Sequence, residues 1–446
     1  LLQSSAASDV YKRQKQGLLY LSFKSFMQKI LINGGNLLQG SVPVSGSKNA
    51  SLPIMAASIL TNENLELENV PDLVDVNTMS AVLSSLGVNV TKKDVNTNRL
   101  TLRYSDSEST IAEYDLVRKM RASILVLGPL LARKRHASVS LPGGCAIGAR
   151  PVDLHIDALT KLGAAFELDG GYIKCSAPNG LKGNKINFSK VSVGATENII
   201  MAASLARGES EIRNIAVEPE VMDLIDCLNK MGAKIELGEN RNVHIQGVDQ
   251  LQGAVHSIIP DRIEAITYII GGTIIGNDLK ITNLNLEHIS NVLELLNELS
   301  INYSMGENSI IVNQSEISDG IDINTMEYPG FPTDVQAQMM VLLSLGKSKS
   351  QITENIFENR FMHVPELNRM GANIETKGKT AVINPCKGFI SAQVMATDLR
   401  ASVSLILAGL VAKGETTLNR IYHLDRGYEK IEKKLQACGA DIRRIN

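Results

Sequence analysis

Six segments of this 446-residue chain are apolar nearly all round. They read KNASLPIMAASIL, RASILVLGPLLA, GATENIIMAASLA, RIEAITYIIGGTII, DVQAQMMVLLSLG and RASVSLILAGLVA, and begin at Lys48, Arg121, Gly194, Arg262, Asp334 and Arg400. Their starts lie roughly seventy residues apart. A segment with no polar face predicts a helix buried on every side. A short alternating run such as ESEIRNI or SQITENI follows and predicts a strand. An amphipathic segment comes next: MSAVLSSLGVNV, IDALTKLGAAFEL, LIDCLNKMGAKIEL, VLELLNELSINYS, VPELNRMGANIE or IEKKLQACGADIRR. Five of these carry a glycine where a helix should end in the left-handed region before a strand; the fourth has Ser300 there.

The unit therefore reads β-α-β-α-β-β, in six copies. Six such units exceed one core, so three plus three is the expected division. Each domain would hold its apolar helices inside and its sheets outside. If the three buried helices of a domain are parallel, their N-termini converge. Such termini carry unpaired N–H groups and a partial positive charge, which makes an anion site. Lys48, Arg121, Arg262 and Arg400 stand at that repeat position, with Asp334 and Gly194 in the other two copies. A cation there opposes the helix dipole, so an anionic ligand is expected. The competing reading is that these long side chains snorkel from apolar helices to solvent.

Composition narrows the classes. Apolar residues make up 44% of the chain and charged residues 21%, as in globular proteins. The net charge of −2 gives no general attraction to nucleic acid or anionic membrane, so an anion must be held locally. The five cysteines form no C-x-x-C pair and the seven histidines no metal-ligand spacing, so neither a metal site nor a disulfide framework is expected. A reducing, cytoplasmic setting fits. No apolar run is long enough to cross a bilayer. Residues 1–26 are polar, then weakly apolar, and are read as an extension outside the fold whose native status stays open. Met27 then looks like the natural start, because MQKILINGGNLLQGSVPVSG has the rhythm of an ordered strand pair.

One stretch is not accounted for by packing. LPGGCAIGARPVDLH places Cys145 among Gly143, Gly144 and Gly148, five residues before Arg150. Nearby positive charge favours a thiolate, and glycines permit a loop to move. The residues alone do not separate a reactive thiol from a chance surface cysteine.

The motifs SGSKNASLPIMAA, MRASI, LPGGCAIGARPVDLHI, KVSVGAT, PDRIE, FPTDVQAQ, ENRFMHVPEL, MATDLRAS and IYHLDRGYEKIE together resemble the enolpyruvyl transferase family, from about Met27 to the C-terminus. The resemblance implies two inside-out α/β-prism domains, each of three βαβαββ repeats around buried helices. It places 27–47 and 260–446 in one domain and 48–259 in the other, with a mobile cysteine loop at 141–151 and the ligand between them. It implies transfer of the enolpyruvyl group of phosphoenolpyruvate to the 3′-hydroxyl of UDP-N-acetylglucosamine, with release of phosphate, by addition and elimination. That is the first committed step of peptidoglycan synthesis. No metal or organic cofactor is implied, and a monomer or weak homo-oligomer is expected.

Residue by residue, Cys145 matches the family's general acid, which also takes covalent adducts and fosfomycin. Lys48 and Asn49 match a phosphoenolpyruvate-contacting pair. Arg150 and Arg426 match arginines that grip the donor, and Arg121 and Arg400 match others in the same cleft; the planar fork of arginine suits carboxylate and phosphate. Asp334 matches the aspartate on the sugar 3′-hydroxyl, the expected base, although a helix start favours Asp as a cap in any case. Asp261 and Asp398 are read as caps only. Arg150, Pro151, Val152, Asp153 and Leu154, with Lys190, Val191, Ser192, Val193 and Gly194, match nucleotide contacts. Ile356 matches a backbone contact to the sugar nucleotide. Glu218 and His423 are read as supporting residues. The alternatives are the sister reaction on shikimate 3-phosphate and a non-catalytic nucleotide-sugar binder on the same fold.

Overall fold

A computed structural model describes residues 28–92, 98–105, 107–141 and 152–446. Six four-stranded sheets share one pattern. In the third repeat, Lys185–Asn187 runs parallel to Glu209–Arg213, which pairs antiparallel with Asn242–Gln246, itself antiparallel to Lys234–Leu237. The chain passes from the first strand through the buried Val193–Ala203 helix to the second, and through the amphipathic Pro219–Lys230 helix to the last two. The expected β-α-β-α-β-β arrangement thus recurs in six sheets among the described residues, as one continuous run of chain in the second, third and fifth repeats. It recurs because an all-apolar helix must be enclosed while an amphipathic one can cover a sheet edge and still face water.

Buried apolar side chains fall into two clusters. One runs from Ala50 to Ile258; the other joins Ile30, Ile32, Leu38, Val42 and Val44 to residues between Ile263 and Ile442. Two strands exchange places to make this so. Leu38–Pro43 pairs with Gly276–Thr282, and Ala254–Ser257 pairs with Leu65–Glu68. Lys29–Asn33 completes a third sheet between Glu415–Asn419 and Asp441–Ile445. The expected N-terminal strand pair is therefore corrected: both strands form, but each joins a different sheet.

The chain crosses between the lobes twice, and the crossings hold each other. Ser47 donates its N–H to the Ile259 carbonyl at 2.7 Å, and Asp261 donates to the Ser45 carbonyl at 2.8 Å. Gly46 sits where a Cβ would fall 1.7 Å from the Asn69 carbonyl oxygen, so only glycine fits. Asparagines then clamp the repeats. The side-chain amides of Asn69, Asn214 and Asn283 donate to the Ile258, Phe188 and Val44 carbonyls at 2.7–2.9 Å, just past the end of the neighbouring parallel strand. All three adopt positive φ, 56–58°, which asparagine tolerates better than most residues.

The glycines expected at the ends of the amphipathic helices, Gly87, Gly163, Gly232, Gly371 and Gly439, all have φ of 95–98°. Ser300 takes φ 57° in the fourth copy. Helix starts differ from expectation in three repeats. Arg121 opens a 3-10 turn, Arg121–Val126, before the Leu127–Lys134 helix; Asp334 lies in the Thr333–Val335 turn; Arg400 precedes the Ser402–Val411 helix. In the second repeat the cause is visible. Asn198 inserts from the neighbouring buried helix, accepting from the Gly128 N–H at 2.8 Å and donating to the Ile124 carbonyl at 3.0 Å.

Candidate active site

Lys48 begins the buried Lys48–Ala57 helix, capped by the Ser47 hydroxyl, which accepts from the Ala50 N–H. Its ammonium is 3.4 Å from Asp75, in the first turn of the Val74–Ser85 helix. Asp75 also receives Arg426 from the other lobe: Nε to Oδ1 at 2.8 Å, Nη2 to Oδ2 at 3.5 Å. Burial lowers the Lys48 pKa. Asp75 and Asp334 act against this, and Arg400 and Arg426 reinforce it. These five groups therefore form one electrostatic cluster between the lobes.

Asp334 enters the cluster from the fifth repeat. Arg360 Nη2 is 2.6 Å from its Oδ1, and Arg400 Nε is 3.8 Å from its Oδ2. Burial alone would disfavour its charge, but Arg360 and Arg400 outweigh that and hold the carboxylate ionised far below its ordinary range. Arg400 is only 1% exposed. One Nη donates to the Gly427 carbonyl at 2.9 Å and the other meets Asp261 Oδ2 at 2.7 Å. Its fork is thus held by protein groups, while its Nε faces Asp334 and its charge acts on Lys48. Asp261 caps the Arg262–Ile275 helix, accepting from the Ile263 and Glu264 N–H groups, and Asp398 accepts from those of Arg400 and Ala401. Both do what the cap reading expected, and Asp261 also anchors Arg400.

The cations at the helix starts are thus partly matched by protein carboxylates. Lys48 has Asp75, Arg262 has Glu220 at 3.0 Å, and Arg400 has Asp261. An anion was expected there; protein side chains supply part of it. Asn49 is half-buried beside Lys48.

The two nucleotide segments lie together. Val152 precedes the Asp153–Lys161 helix, on which Asp153 is exposed and Leu154 half-buried. Ser192 caps the Val193–Ala203 helix, with Lys190 exposed and Val191, Val193 and Gly194 half-buried. They meet at His155: a Cβ on Gly194 would come 3.3 Å from its ring. Asn198 Nδ2, 2.9 Å away, donates to His155 Nδ1, which leaves the proton on Nε2. Burial and then Arg121 push the His155 pKa down to about 4, so it is a neutral donor. Ile356 is half-buried, and its N–H donates to Glu354 Oε1 at 2.9 Å. His423 is also kept neutral, near pKa 4, by burial and then Arg420 and Arg426. Glu218 accepts from the Tyr328 N–H across the lobes at 3.4 Å. Cys145, Arg150 and Pro151 lie outside the described residues. Among the described residues no group of His, Cys, Asp or Glu is placed to hold a metal ion, and no helix is long and apolar enough to cross a membrane.

Sequence reasoning passed over Asp75 and Arg360. Arg360 stood in the ENRF motif beside Ile356; Asp75 had no signal beyond a helix start.

A family profile described as EPSP synthase (3-phosphoshikimate 1-carboxyvinyltransferase) matches residues 32–435. The chain belongs to the EPSP synthase family. Within it, the chain is 53% identical to the UDP-N-acetylglucosamine 1-carboxyvinyltransferase of Zymomonas mobilis, over 94% of this chain and 100% of that protein. It is 52% identical to that of Rhodospirillum centenum, over 94% and 99%. Among solved structures of the family's fold, the enolpyruvyl transferase NikO from Streptomyces tendae superposes with a TM-score of 0.84 at 23% identity, covering 94% of this chain and 99% of that one. EPSP synthase from Acinetobacter baumannii gives 0.72 at 15%, covering 94% and 100%.

Proposed function

We propose that this member of the EPSP synthase family transfers the enolpyruvyl group of phosphoenolpyruvate to the 3′-hydroxyl of UDP-N-acetylglucosamine and releases phosphate. The observation that carries the reading is the convergence of Lys48, Arg426 and Asp334, from the first, sixth and fifth repeats, in one half-buried cluster between the lobes. The division into 27–47 plus 260–446 and 48–259 puts that cluster at the domain boundary, and the two apolar cores support it.

In this reading Lys48 and Arg426, with Arg150, hold the phosphate and carboxylate of the donor, and Asn49 orients it. Arg121, with the segments at 150–154 and 190–194, holds the nucleotide, whose diphosphate faces the capped helix start at Ser192. Ile356 places the sugar. The Asp334 carboxylate accepts a hydrogen bond from the 3′-hydroxyl. Arg360 and Arg400 make it a weak base, so it takes the proton only as the new C–O bond forms. A proton reaches the donor's methylene carbon, from Cys145 by family resemblance, as the sugar oxygen attacks C2. Loss of a proton from that methyl group then expels phosphate and restores the double bond. The setting is the cytoplasm, where both substrates and the peptidoglycan pathway are found.

The sister reaction on shikimate 3-phosphate is disfavoured because the 53%- and 52%-identical relatives are both UDP-N-acetylglucosamine enzymes. The test is phosphate release from phosphoenolpyruvate with each acceptor in turn. Turnover with UDP-N-acetylglucosamine supports the reading; turnover with shikimate 3-phosphate alone overturns it.

A further inference from the structure

The least expected side chain in the charged cluster is Asp75. It is 2% exposed and carries no family role from the sequence, yet it touches two cations from opposite lobes. The segment that brings Arg426 to it is bracketed by two non-glycine residues in the left-handed region, Arg420 at φ 59° and Lys430 at φ 45°. Such conformations persist only where surrounding contacts hold them. At the second of these residues the two chain segments meet again through a half-exposed pair, Lys430 lying 3.4 Å from Asp72.

We propose that Asp75 is a positioning residue for the donor phosphate: it holds Arg426 against Lys48 before phosphoenolpyruvate arrives. This rests on the reading of Lys48 and Arg426 as phosphate ligands. The geometry favours holding over simple structural pairing. The carboxylate engages Arg426 through both Oδ atoms and Lys48 through Oδ2, so one rigid acid fixes the spacing of two cations. Without it, the arm's ordering would fall on substrate binding. Asp75 also favours the charged form of Lys48 against burial. The groups facing Lys48 are Asp75 and Asp334, which raise its pKa, and Arg400 and Arg426, which lower it along with burial.

The test is steady-state phosphate release by the full chain across pH, comparing D75N, D75E and D72N with the parent. D75N should raise KM for phosphoenolpyruvate about tenfold or more, as expected for loss of a charge-assisted hydrogen bond, with KM for UDP-N-acetylglucosamine within about twofold. Its alkaline limb should move to lower pH, because Lys48 without its acid loses its proton sooner. D75E keeps the charge but misplaces it, so KM rises while the alkaline limb stays. D72N, on the half-exposed outer pair, should change either parameter less than about twofold. Should D75N fail to fold, D75E carries the test. A KM for phosphoenolpyruvate that is unchanged or lower in D75E, or in D75N where it folds, overturns the proposal; a lower value means Asp75 competes with phosphate. If the parent itself releases no phosphate with UDP-N-acetylglucosamine, the functional reading fails instead.

Discussion

Replacing Arg360 by methionine probes how Asp334 is held. Arg360 is 4% exposed and contacts the Asp334 carboxylate at 2.6 Å, with a weaker contact to the Thr333 hydroxyl at 3.5 Å. Removing one partner of a buried pair costs about 3–5 kcal/mol. Here the acid side chain keeps a quarter of its surface in water and retains Arg400 at 3.8 Å, so the loss should be nearer about 2 kcal/mol. For a lobe of this size that lowers Tm by roughly 4–8 °C. The kinetic effect has a definite sign. Burial favours a neutral Asp334, and Arg360 with Arg400 reverses this. Without Arg360 the pKa rises, with Arg400 alone left to oppose burial. The acid limb of kcat/KM for UDP-N-acetylglucosamine then moves to higher pH. R360K should move it less, since lysine keeps the charge but not the fork. Differential scanning fluorimetry and pH–rate profiles of phosphate release read both effects. An R360M acid limb at the parent's position, with Tm within about 1 °C, would refute this account of Asp334.

The acid stability of the chain should depend on His155. Its folded pKa, about 4, lies below the ordinary 6.5, so it stabilises the fold fully above about pH 6.5 and loses that contribution as pH falls toward 4. The loss is at most about 3 kcal/mol, and H155N should flatten that part of a urea-midpoint against pH curve. Gly46→Ala drives a Cβ into the Asn69 carbonyl and should cost more than about 3 kcal/mol in urea unfolding. Asn69→Ala strands the Ile258 carbonyl and should cost about 1–2 kcal/mol by the same measurement. Cys145→Asp should abolish alkylation by fosfomycin in intact-mass spectra; continued covalent labelling of the variant refutes the thiol as target.

The repeat was legible because burial imposes it. An all-apolar helix and a glycine-terminated amphipathic one cannot be confused, and Gly87, Gly163, Gly232, Gly371 and Gly439 all take the conformation their position required. The asparagine clamp was not legible: the Asn of LENV, IRNI and ITNL gains its meaning only from a hydrogen bond to a distant strand. What sequence could not give is charge pairing across repeats. Lys48 and Arg426 were chosen from motifs, but the acid between them, Asp75, lies 351 positions from Arg426. The same holds for Arg400: its motif marks a ligand-binding residue, and only the fold shows that its fork also grips Asp261 and the Gly427 carbonyl. The exchange of Leu38–Pro43 and Lys29–Asn33 into separate sheets likewise depends on closing two lobes, not on local pattern.

Phosphate release and product mass, followed with phosphoenolpyruvate and either acceptor, decide which hydroxyl the enzyme uses. Stoichiometric phosphate and an enolpyruvyl ether of UDP-N-acetylglucosamine are expected, with no turnover of shikimate 3-phosphate. Phosphate release with shikimate 3-phosphate and none with UDP-N-acetylglucosamine would contradict the proposed function.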